Sequence, residues 1–404
     1  MHETDKPLSQ FHSVRLPQEE VLDREKKGKQ LKIGIIGEVD PHETRVPISP
    51  QSVELLVQNG HQILIEHNAG VASRFSSSDY SEAGAQVKNK KAEVFEADIL
   101  LKVSPLTEAE ISLLRGGQTL ISSLHLATRE VSYFRSLMSK KTTAIAFELL
   151  MDDVNEFPVL RSMCEIAGTV SMSIGSRYLS TYGQGKGILL GGITGVTPAE
   201  VVLLGAGTAA EYAARTAIGM GAVVKVFDRS IPRLRSIKHR LGQELFTSVM
   251  HPTVMKKAFE TADLVISTLQ RLNPESYYLV PDDMIMSMKE GSVVVDMHID
   301  QGSSFETGRM TSPDKPIYRE HGVIHYMVPN MTSLVGRTAS IALSNVLMPL
   351  LMNKGRCGGI QQLILEDYGV RHGVYLYNGI LTHEMIGNYF TIPFKNIDLL
   401  LAAF

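Results

Sequence analysis

Four polar residues follow or end short apolar segments, where side chains of an α/β protein reach a ligand. Arg45 lies in the loop HETRVPIS, Lys102 lies at the end of the apolar run LLKV, His125 follows ISSL, and Asp300 follows VVVDMHI. Two cations suit a carboxylate, an imidazole titrates near neutral pH, and an acid stabilises cationic states. These groups together indicate hydride transfer from a small amino or hydroxy acid.

Each of these residues also has a purely structural interpretation. Taken singly, Arg45 could be a solvated loop arginine, Lys102 an edge lysine, His125 a hydrogen-bonded core histidine and Asp300 a turn cap. The catalytic hypothesis therefore depends on the four side chains meeting at one place. Asp296 lies inside the apolar run SVVVDM, and we interpret it as a structural or cofactor-side residue.

The stretch VVLLGAGTAAEYAARTAIGMGAVVKVFD places a G-x-G-x-x-A turn between an apolar strand and a small-residue helix. Gly205 permits the tight turn, Gly207 lets the backbone approach a pyrophosphate, and Ala210 packs the helix on the strand. Asp228, 23 residues after Gly205, would accept from ribose hydroxyls and repel a 2′-phosphate. The pattern favours NAD over NADP, although Arg229 adds a cation beside Asp228. A Rossmann-type domain that binds another nucleotide, or none, is the alternative.

Apolar strands alternate with helical patterns along most of the chain. Predicted strands before the glycine turn are LKIGII (31–36), HQILIE (61–66), ILLKV (99–103), QTLISSL (118–124) and TAIAFEL (143–149), and after it LFTSV (245–249), DLVIST (263–268), SVVVDM (292–297) and VIHYMV (323–328). This alternation predicts an α/β protein with two Rossmann-like lobes. We expect parallel sheets in both lobes, long joining helices near 159–181 and 338–353, a helical tail, and a cleft between the lobes. The predicted organisation is an N-terminal extension at 1–30 with a short helix at 17–29, a substrate domain of 31–165 plus 330–404, and a nucleotide-binding domain of 166–329.

Composition excludes several classes of protein. The 404 residues suffice for two domains with real cores, and 44% hydrophobic content with a net charge of −3 indicates a globular protein. The charge balance predicts no nucleic-acid or membrane partner. Two cysteines exclude a disulfide framework or a cysteine zinc site, and we predict no metal. With no apolar leader segment, a cytoplasmic location is expected.

The chain resembles the alanine dehydrogenase family, within the group that also holds the soluble nucleotide-binding part of nicotinamide nucleotide transhydrogenase. The matching stretches are ETRVPISP, ADILLKV, LISSLHLA, TAIAFE, CEIAG, GKGILLGGITGV, GAGTAA, VVVDMHIDQG, FETGR and YMVPNM. They occur in order from about residue 31 to 345, so the resemblance covers nearly the whole chain.

The resemblance implies a role for each candidate residue. Arg45 and Lys102 would bind the substrate carboxylate or keto group, Glu148 would line the site, His125 would be the acid–base group, and Asp300 would be its partner across the cleft. The implied cofactor contacts are Cys164, Gly205, Gly207, Thr208, Ala209, Ala210, Asp228, Arg233, Thr268, Leu269, Met297, Asp300, Arg309, Met327, Asn330 and Met331.

The resemblance implies NAD-dependent, reversible oxidative deamination of L-alanine to pyruvate and ammonium by a homo-oligomer, hexameric in this family. Among the positions that depart from the family pattern, Cys164 stands for a serine, His298 for a small residue and Ser303 for a glycine. They leave two alternatives open. One is a related amino- or imino-acid dehydrogenase with another small substrate, and the other is a nucleotide-binding homologue without turnover.

Overall fold

The computed structural model describes residues 30–269, 279–356 and 359–402, so the helix predicted at 17–29 lies outside the described residues. The strands in these ranges are β1 (Lys32–Ile35), β2 (Gln62–Glu66), β3 (Gln86–Lys88), β4 (Ile99–Leu101), β5 (Thr119–Ser122), β6 (Thr143–Ala146), β7 (Glu200–Leu204), β8 (Val223–Asp228), β9 (Phe246–Val249), β10 (Leu264–Ser267), β11 (Val293–Asp296), β12 (Ile317–Glu320), β13 (Val323–Tyr326), β14 (Val374–Tyr377) and β15 (Ile380–Leu381).

Helices connect most of these strands. They are α1 (Pro50–Gln58), α2 (Ser77–Glu82), α3 (Lys91–Val94), α4 (Glu108–Ser112), α5 (Val131–Ser139), α6 (Pro158–Leu179), α7 (Thr208–Gly219), α8 (Ile231–Leu241), α9 (Pro252–Thr261), α10 (Asp282–Met286), α11 (Gly336–Arg356), α12 (Ile360–Glu366), α13 (Tyr368–Gly373), α14 (Glu384–Phe390) and α15 (Ile397–Leu401). Short 3-10 helices occupy Val71–Ser73, Leu126–Thr128, Phe147–Leu149, Ile299–Gln301 and Met331–Val335.

The described strands of the first lobe form a sheet in the order β15-β14-β6-β5-β4-β1-β2-β3. Strands β1 to β6 run parallel, whereas β14 pairs antiparallel with β6 and β15 with β14. The predicted parallel sheet is therefore present and is extended by two antiparallel strands, which come from the tail that was expected to be helical. All four residues of β14 are buried, and pairing with β6 satisfies their backbone groups while it covers that edge of the parallel sheet.

The described strands of the second lobe form a sheet in the order β12-β13-β11-β10-β7-β8-β9. All neighbours run parallel except β12, which pairs antiparallel with β13. In both sheets the chain order reverses beside a central strand, between β1 and β4 in the first and between β7 and β10 in the second. Ligands of open α/β sheets bind at the carboxyl ends of strands at such a reversal.

Each sheet is buried on both faces, which explains its continuous apolar strands. Along β7, Val201 and Leu203 pack into one core cluster, while Val202 and Leu204 pack into another on the opposite face. The strands of the first lobe divide in the same way between two clusters. Because both faces are covered, most strand residues are apolar, and the candidate site lies beyond the strand ends.

The two long helices join the lobes. Helix α6 begins with proline at its first turn, where the fixed φ of proline suits a helix start. It packs closely on α7, since a Cβ at Gly168 would collide with the carbonyl oxygen of Ala209. Helix α11 packs on α1, and Ser344 Oγ donates to Ser52 Oγ at 2.8 Å. By length and composition alone Met331–Met352 could cross a membrane, the one such segment among the described residues, and core helices pass the same test.

Candidate active site

A glycine turn joins β7 to α7 at the centre of the second sheet. Gly205 has φ +109°, a conformation that L side chains rarely adopt, and a Cβ there would collide with Thr268 Oγ1. Gly207 is the N-cap residue of α7. The first N–H groups of α7 have no partner within the helix, so this end can bind an anion such as a phosphate.

Asp228 ends β8 and fixes this turn. Its carboxylate is 3% exposed, with Oδ2 accepting from the N–H of Ala206 at 2.8 Å and Oδ1 accepting from the N–H of Ser230 at 2.7 Å. The acid thus holds the glycine turn in shape. Since each oxygen carries more than one lone pair, it can also accept from a ligand in the adjoining cavity.

A cavity of about 540 Å³ opens beside the turn, and we call it the β7–α7 cavity. Its lining includes the predicted cofactor contacts Cys164, Gly205, Gly207, Thr208, Ala209, Asp228, Arg233, Thr268 and Leu269. Sequence reasoning missed several further lining residues. One is Ala206 in the glycine turn, and the others lie just before α6 or in its first turn, namely Asn155, Glu156, Phe157, Leu160 and Arg161. No local motif marks that region, which reaches the cavity only through the packing of α6 on α7.

The other predicted cofactor contacts do not line the β7–α7 cavity. Ala210, Met297, Met327 and Met331 are buried, whereas Asp300, Arg309 and Asn330 are exposed. Two of them bind other side chains. Arg309 Nη2 donates to Glu320 Oε2 at 2.8 Å, and Asn330 Nδ2 donates to Glu43 Oε2 at 2.9 Å.

Arg45 lies in the loop that follows β1 and is 8% exposed. Its Nε donates to Glu43 Oε1 at 2.7 Å and its Nη2 to Glu43 Oε2 at 2.6 Å, a bidentate ion pair. Burial acts to raise the pKa of the Glu43 carboxyl, but the charge and hydrogen bonds of Arg45 outweigh it and lower that pKa. Both groups are therefore charged, and sequence reasoning missed Glu43.

Lys102 follows β4 and is 1% exposed. Its Nζ donates to Glu110 Oε2 at 2.7 Å and lies 3.9 Å from Glu38 Oε2. Burial raises the pKa of Glu38, which accepts from the N–H of Val103 at 2.8 Å. The ammonium is thus paired within the first lobe, although Glu110 takes only one of its three N–H groups.

His125 follows β5 with φ +48°, a left-handed conformation uncommon outside glycine. The residue has exposed surface, although protein atoms packed around it partly bury the ring. This burial, followed by the charges of Arg45 and Arg129, lowers its pKa, while Glu43 and Asp300 act in the opposite direction. A neutral imidazole at physiological pH follows. Arg45 and Asp300 therefore both lie within electrostatic range of His125, and we call these three residues the polar cluster.

Glu148 lies in the short helix after β6 and connects two strand ends. Its Oε1 accepts from the N–H of Leu124 at 2.7 Å, whereas its buried Oε2 has no hydrogen-bond partner in the described part of the chain. Burial raises the pKa of this carboxyl, against hydrogen bonds from the backbone of Leu124 and His125 and the charge of Arg45. Glu148 therefore borders the polar cluster with a free acceptor or, when protonated, a donor.

The turn after β11 brings the second lobe to this cluster. Asp296 is fully buried, and burial raises its pKa to about 6 although the N–H groups of Ser304 and His298 donate to it. His298 lines the β7–α7 cavity, and its buried Nδ1 has no partner among the described residues. The charge of Asp300 acts on His125, His298 and Asp296. The polar cluster and the cavity are therefore adjacent.

A glycine-turn cavity in one α/β lobe, adjoining an arginine, a histidine and acids on strand ends of both lobes, defines a two-lobed nucleotide-dependent dehydrogenase fold. Family models for the alanine dehydrogenase/PNT N-terminal and C-terminal domains match residues 34–167 and 171–384. The chain belongs to the alanine dehydrogenase/PNT family.

Individual relatives and solved structures agree with this membership. The chain is 36% identical over 370 residues to an alanine dehydrogenase of Staphylococcus saprophyticus, covering 91% of this chain and 98% of that protein. It is 36% identical over 372 residues to alanine dehydrogenase 2 of Staphylococcus aureus, covering 91% and 99%. A solved L-alanine dehydrogenase superposes with a TM-score of 0.83 at 34% identity, covering 89% and 99%. A transhydrogenase of Sinorhizobium meliloti superposes with a TM-score of 0.74 at 25% identity, covering 87% and 99%.

Proposed function

We propose that this chain catalyses the reversible, NAD-linked oxidative deamination of L-alanine to pyruvate and ammonium. The observation that carries this proposal is the adjacency of the β7–α7 cavity to the polar cluster, in which the charges of Arg45 and Asp300 both act on His125. We assign the substrate domain to 31–165 plus 330–404 and the cofactor domain to 166–329, because the strands of the two sheets divide in this way.

The β7–α7 cavity fits a nicotinamide dinucleotide. Gly205 gives the turn that a phosphate requires, α7 offers free N–H groups, and Asp228 offers acceptors for ribose hydroxyls. When bound, the cofactor supplies the acceptor for the hydride that leaves the substrate Cα. The buried negative charge of Asp228 supports NAD over NADP, since a 2′-phosphate would meet that charge.

Arg45 would bind the substrate carboxylate. Glu43 holds its Nε and Nη2, and Nη1 contacts only Met163 Sδ, at 3.6 Å, among its described partners. The unused N–H groups of Nη1 and Nη2 can then bind a carboxylate in a fixed orientation. Lys102 would support the site through Glu38, whose charge acts on Lys102 and Arg45 alike.

His125 would move the protons. With its lowered pKa the neutral ring can take a proton from the water that attacks the imino acid formed from alanine, and it can later give a proton to the departing ammonia. Asp300 would stabilise the imidazolium that forms between these two transfers. Glu148 would hold the strand end that carries His125, through the N–H of Leu124.

Assembly as a homo-oligomer and a cytoplasmic location are also proposed. Three large apolar side chains that share the segment 189–196, Leu189, Ile193 and Val196, are 64%, 68% and 58% exposed. Contact with further copies would remove this apolar area from water. Light scattering coupled to size exclusion would then give a mass that is a multiple of the 44.5 kDa chain.

The decisive test is NADH oxidation with pyruvate and ammonium, run beside glyoxylate, 2-oxobutyrate and 2-oxoglutarate. We expect pyruvate to give the highest kcat/KM and NADPH to be a poor substitute for NADH. Preference for another 2-oxo acid would mean that the substrate is the amino acid corresponding to that 2-oxo acid, and not alanine. Absence of turnover with every 2-oxo acid, in protein that binds NADH, would indicate a homologue without this activity.

A further inference from the structure

The Glu43 carboxylate connects two segments that are far apart in the chain. It is 4% exposed and accepts from Arg45 of its own loop, from Asn330 Nδ2 at 2.9 Å and from Ser333 Oγ at 3.0 Å. The backbone N–H of Arg45 also donates to Oε1, at 3.0 Å. A carboxylate with this many donors is held in one position, and its negative charge is retained despite burial.

On one side Glu43 determines which face of the Arg45 guanidinium remains available. A guanidinium has five N–H groups in a planar fork, and Glu43 takes one from Nε and one from Nη2. The plane of the guanidinium is therefore fixed by the carboxylate before any ligand arrives. Without Glu43 the arginine would be a buried cation free to rotate about its side-chain bonds.

On the other side Glu43 holds the loop that returns from the second sheet. Asn330 follows β13 with φ +55°, and its Oδ1 accepts from Thr332 Oγ1 at 2.9 Å. The Thr44 hydroxyl next to Glu43 donates to the carbonyl oxygen of Ser333, so side-chain bonds join the two segments at neighbouring positions. The arginine of the first lobe is thus tied to a loop that leads out of the cofactor lobe.

We propose that Glu43 is a positioning residue that orients Arg45 for a substrate carboxylate and ties it to the Asn330 loop. This inference rests on the proposed function for the identity of the substrate, but the contacts of Glu43 stand independently of it. The negative charge of Glu43 also acts on His125, together with Arg45, Arg129 and Asp300, and Glu148 accepts from the His125 backbone. Loss of that charge lowers the pKa of His125.

The test compares Glu43→Gln, which keeps the shape and removes the charge, with Glu43→Asp, which keeps the charge. Glu54→Gln is the matched control, since Glu54 is exposed on α1. For Glu43→Gln we expect at least a 10²-fold fall in kcat/KM for pyruvate, expressed mainly in KM. NADH affinity measured by fluorescence should stay within about threefold of wild type. Unchanged pyruvate kinetics in folded Glu43→Gln protein would overturn the proposal.

A second readout does not depend on turnover. The His125 pKa is measured by NMR titration of ¹³C-labelled histidine and assigned by its loss in His125→Gln. It should fall in Glu43→Gln and stay in place in Glu43→Asp and Glu54→Gln. A merely structural role predicts no such shift, so an unchanged His125 pKa in Glu43→Gln refutes the electrostatic part of the proposal. If the His125 pKa falls in Glu43→Gln but the wild-type protein has no turnover, the proposed function fails and the role of Glu43 toward His125 stands.

Ser333→Ala covers the case in which Glu43→Gln does not fold. It removes one donor to Glu43 Oε1 and leaves the charge and the Arg45 pair in place. We expect a rise of about threefold to tenfold in the pyruvate KM, from the loss of one hydrogen bond to a charged group, with the His125 pKa unchanged. An unchanged pyruvate KM in this variant would contradict the link between Arg45 and the Asn330 loop.

Discussion

Lys102 and Glu110 form a buried ion pair in the first lobe, with Nζ donating to Oε2 at 2.7 Å and both side chains almost inaccessible to solvent. Lys91 donates to the other oxygen of Glu110 at 2.7 Å, and Glu38 lies on the opposite side of the Lys102 ammonium. The residue that the sequence suggests as a ligand for substrate is thus also part of a charge network within its own lobe.

Removing this ammonium should destabilise the fold. We expect Lys102→Met to lower the free energy of unfolding by about 3–5 kcal/mol, because Glu110 and Glu38 lose a buried counter-charge. The double variant Lys102→Met/Glu110→Gln should recover part of that loss. Urea denaturation provides the measurement, and the exposed Lys257→Met on α9 should stay within about 0.5 kcal/mol of wild type. If Lys102→Met keeps its stability but loses turnover, Lys102 acts on the substrate and does not stabilise the fold.

The fold follows from local patterns to a large extent, and the exceptions have a common cause. Most of the parallel strands were predictable because burial on both faces makes them continuously apolar, whereas the exposed edge strand β3 was not. Strands β12, β14 and β15 depend on partners rather than pattern, and β14 pairs with β6, more than 200 residues earlier in the chain. A four-residue apolar segment such as VYLY fits a helix or a strand equally well until its partner is known.

The candidate site shows the same division. The glycine turn was predictable because its chemistry is local, and Gly205 with Asp228 does border a cavity. Glu43 was not predictable, since its role arises from contacts with Asn330 and Ser333. The spacing of Lys102 and Glu110, eight residues apart across a strand and a helix, does not reveal that their side chains meet. Charge partners across loops are tertiary information.

Cofactor preference should depend on Asp228. We expect Asp228→Asn to weaken NADH binding by about 1–3 kcal/mol, as for a lost hydrogen bond to a charged group, and to improve NADPH relative to NADH. Fluorescence titrations of both cofactors provide the measurement. Asp283→Asn on α10 removes an equal charge from an exposed position and should leave both affinities unchanged. Equal affinity of wild type for the two cofactors would mean that Arg229 or Arg233 outweighs the acid.

His298 lines the cavity, and its buried Nδ1 has no hydrogen-bond partner among the described residues. If the bound cofactor satisfies this nitrogen, His298→Ala should weaken NADH about twofold to tenfold, the usual net contribution of one hydrogen bond. If nothing satisfies it, the variant should instead be more stable and bind NADH as wild type does. Calorimetric NADH binding and urea denaturation on the same samples separate the two results.

The sharpest prediction concerns His125, whose left-handed backbone and exposure to solvent distinguish it from a packing histidine. We expect His125→Gln to lower kcat by about 10²- to 10⁴-fold while NADH binding is largely kept, as for loss of a general acid–base group.

The pH profile supplies the independent check on His125. Burial and the nearby arginines lower its pKa from the ordinary value of 6.5, so the neutral, proton-accepting ring prevails above that pH. In the deamination direction kcat/KM should therefore rise with pH through a limb below 6.5, and this limb should vanish in His125→Gln. Glu148→Gln should keep the limb, because it retains a hydrogen-bond acceptor for the N–H of Leu124. A folded His125→Gln protein with normal turnover and the same limb would assign the proton transfers to another group and leave the fold and the cofactor cavity as described.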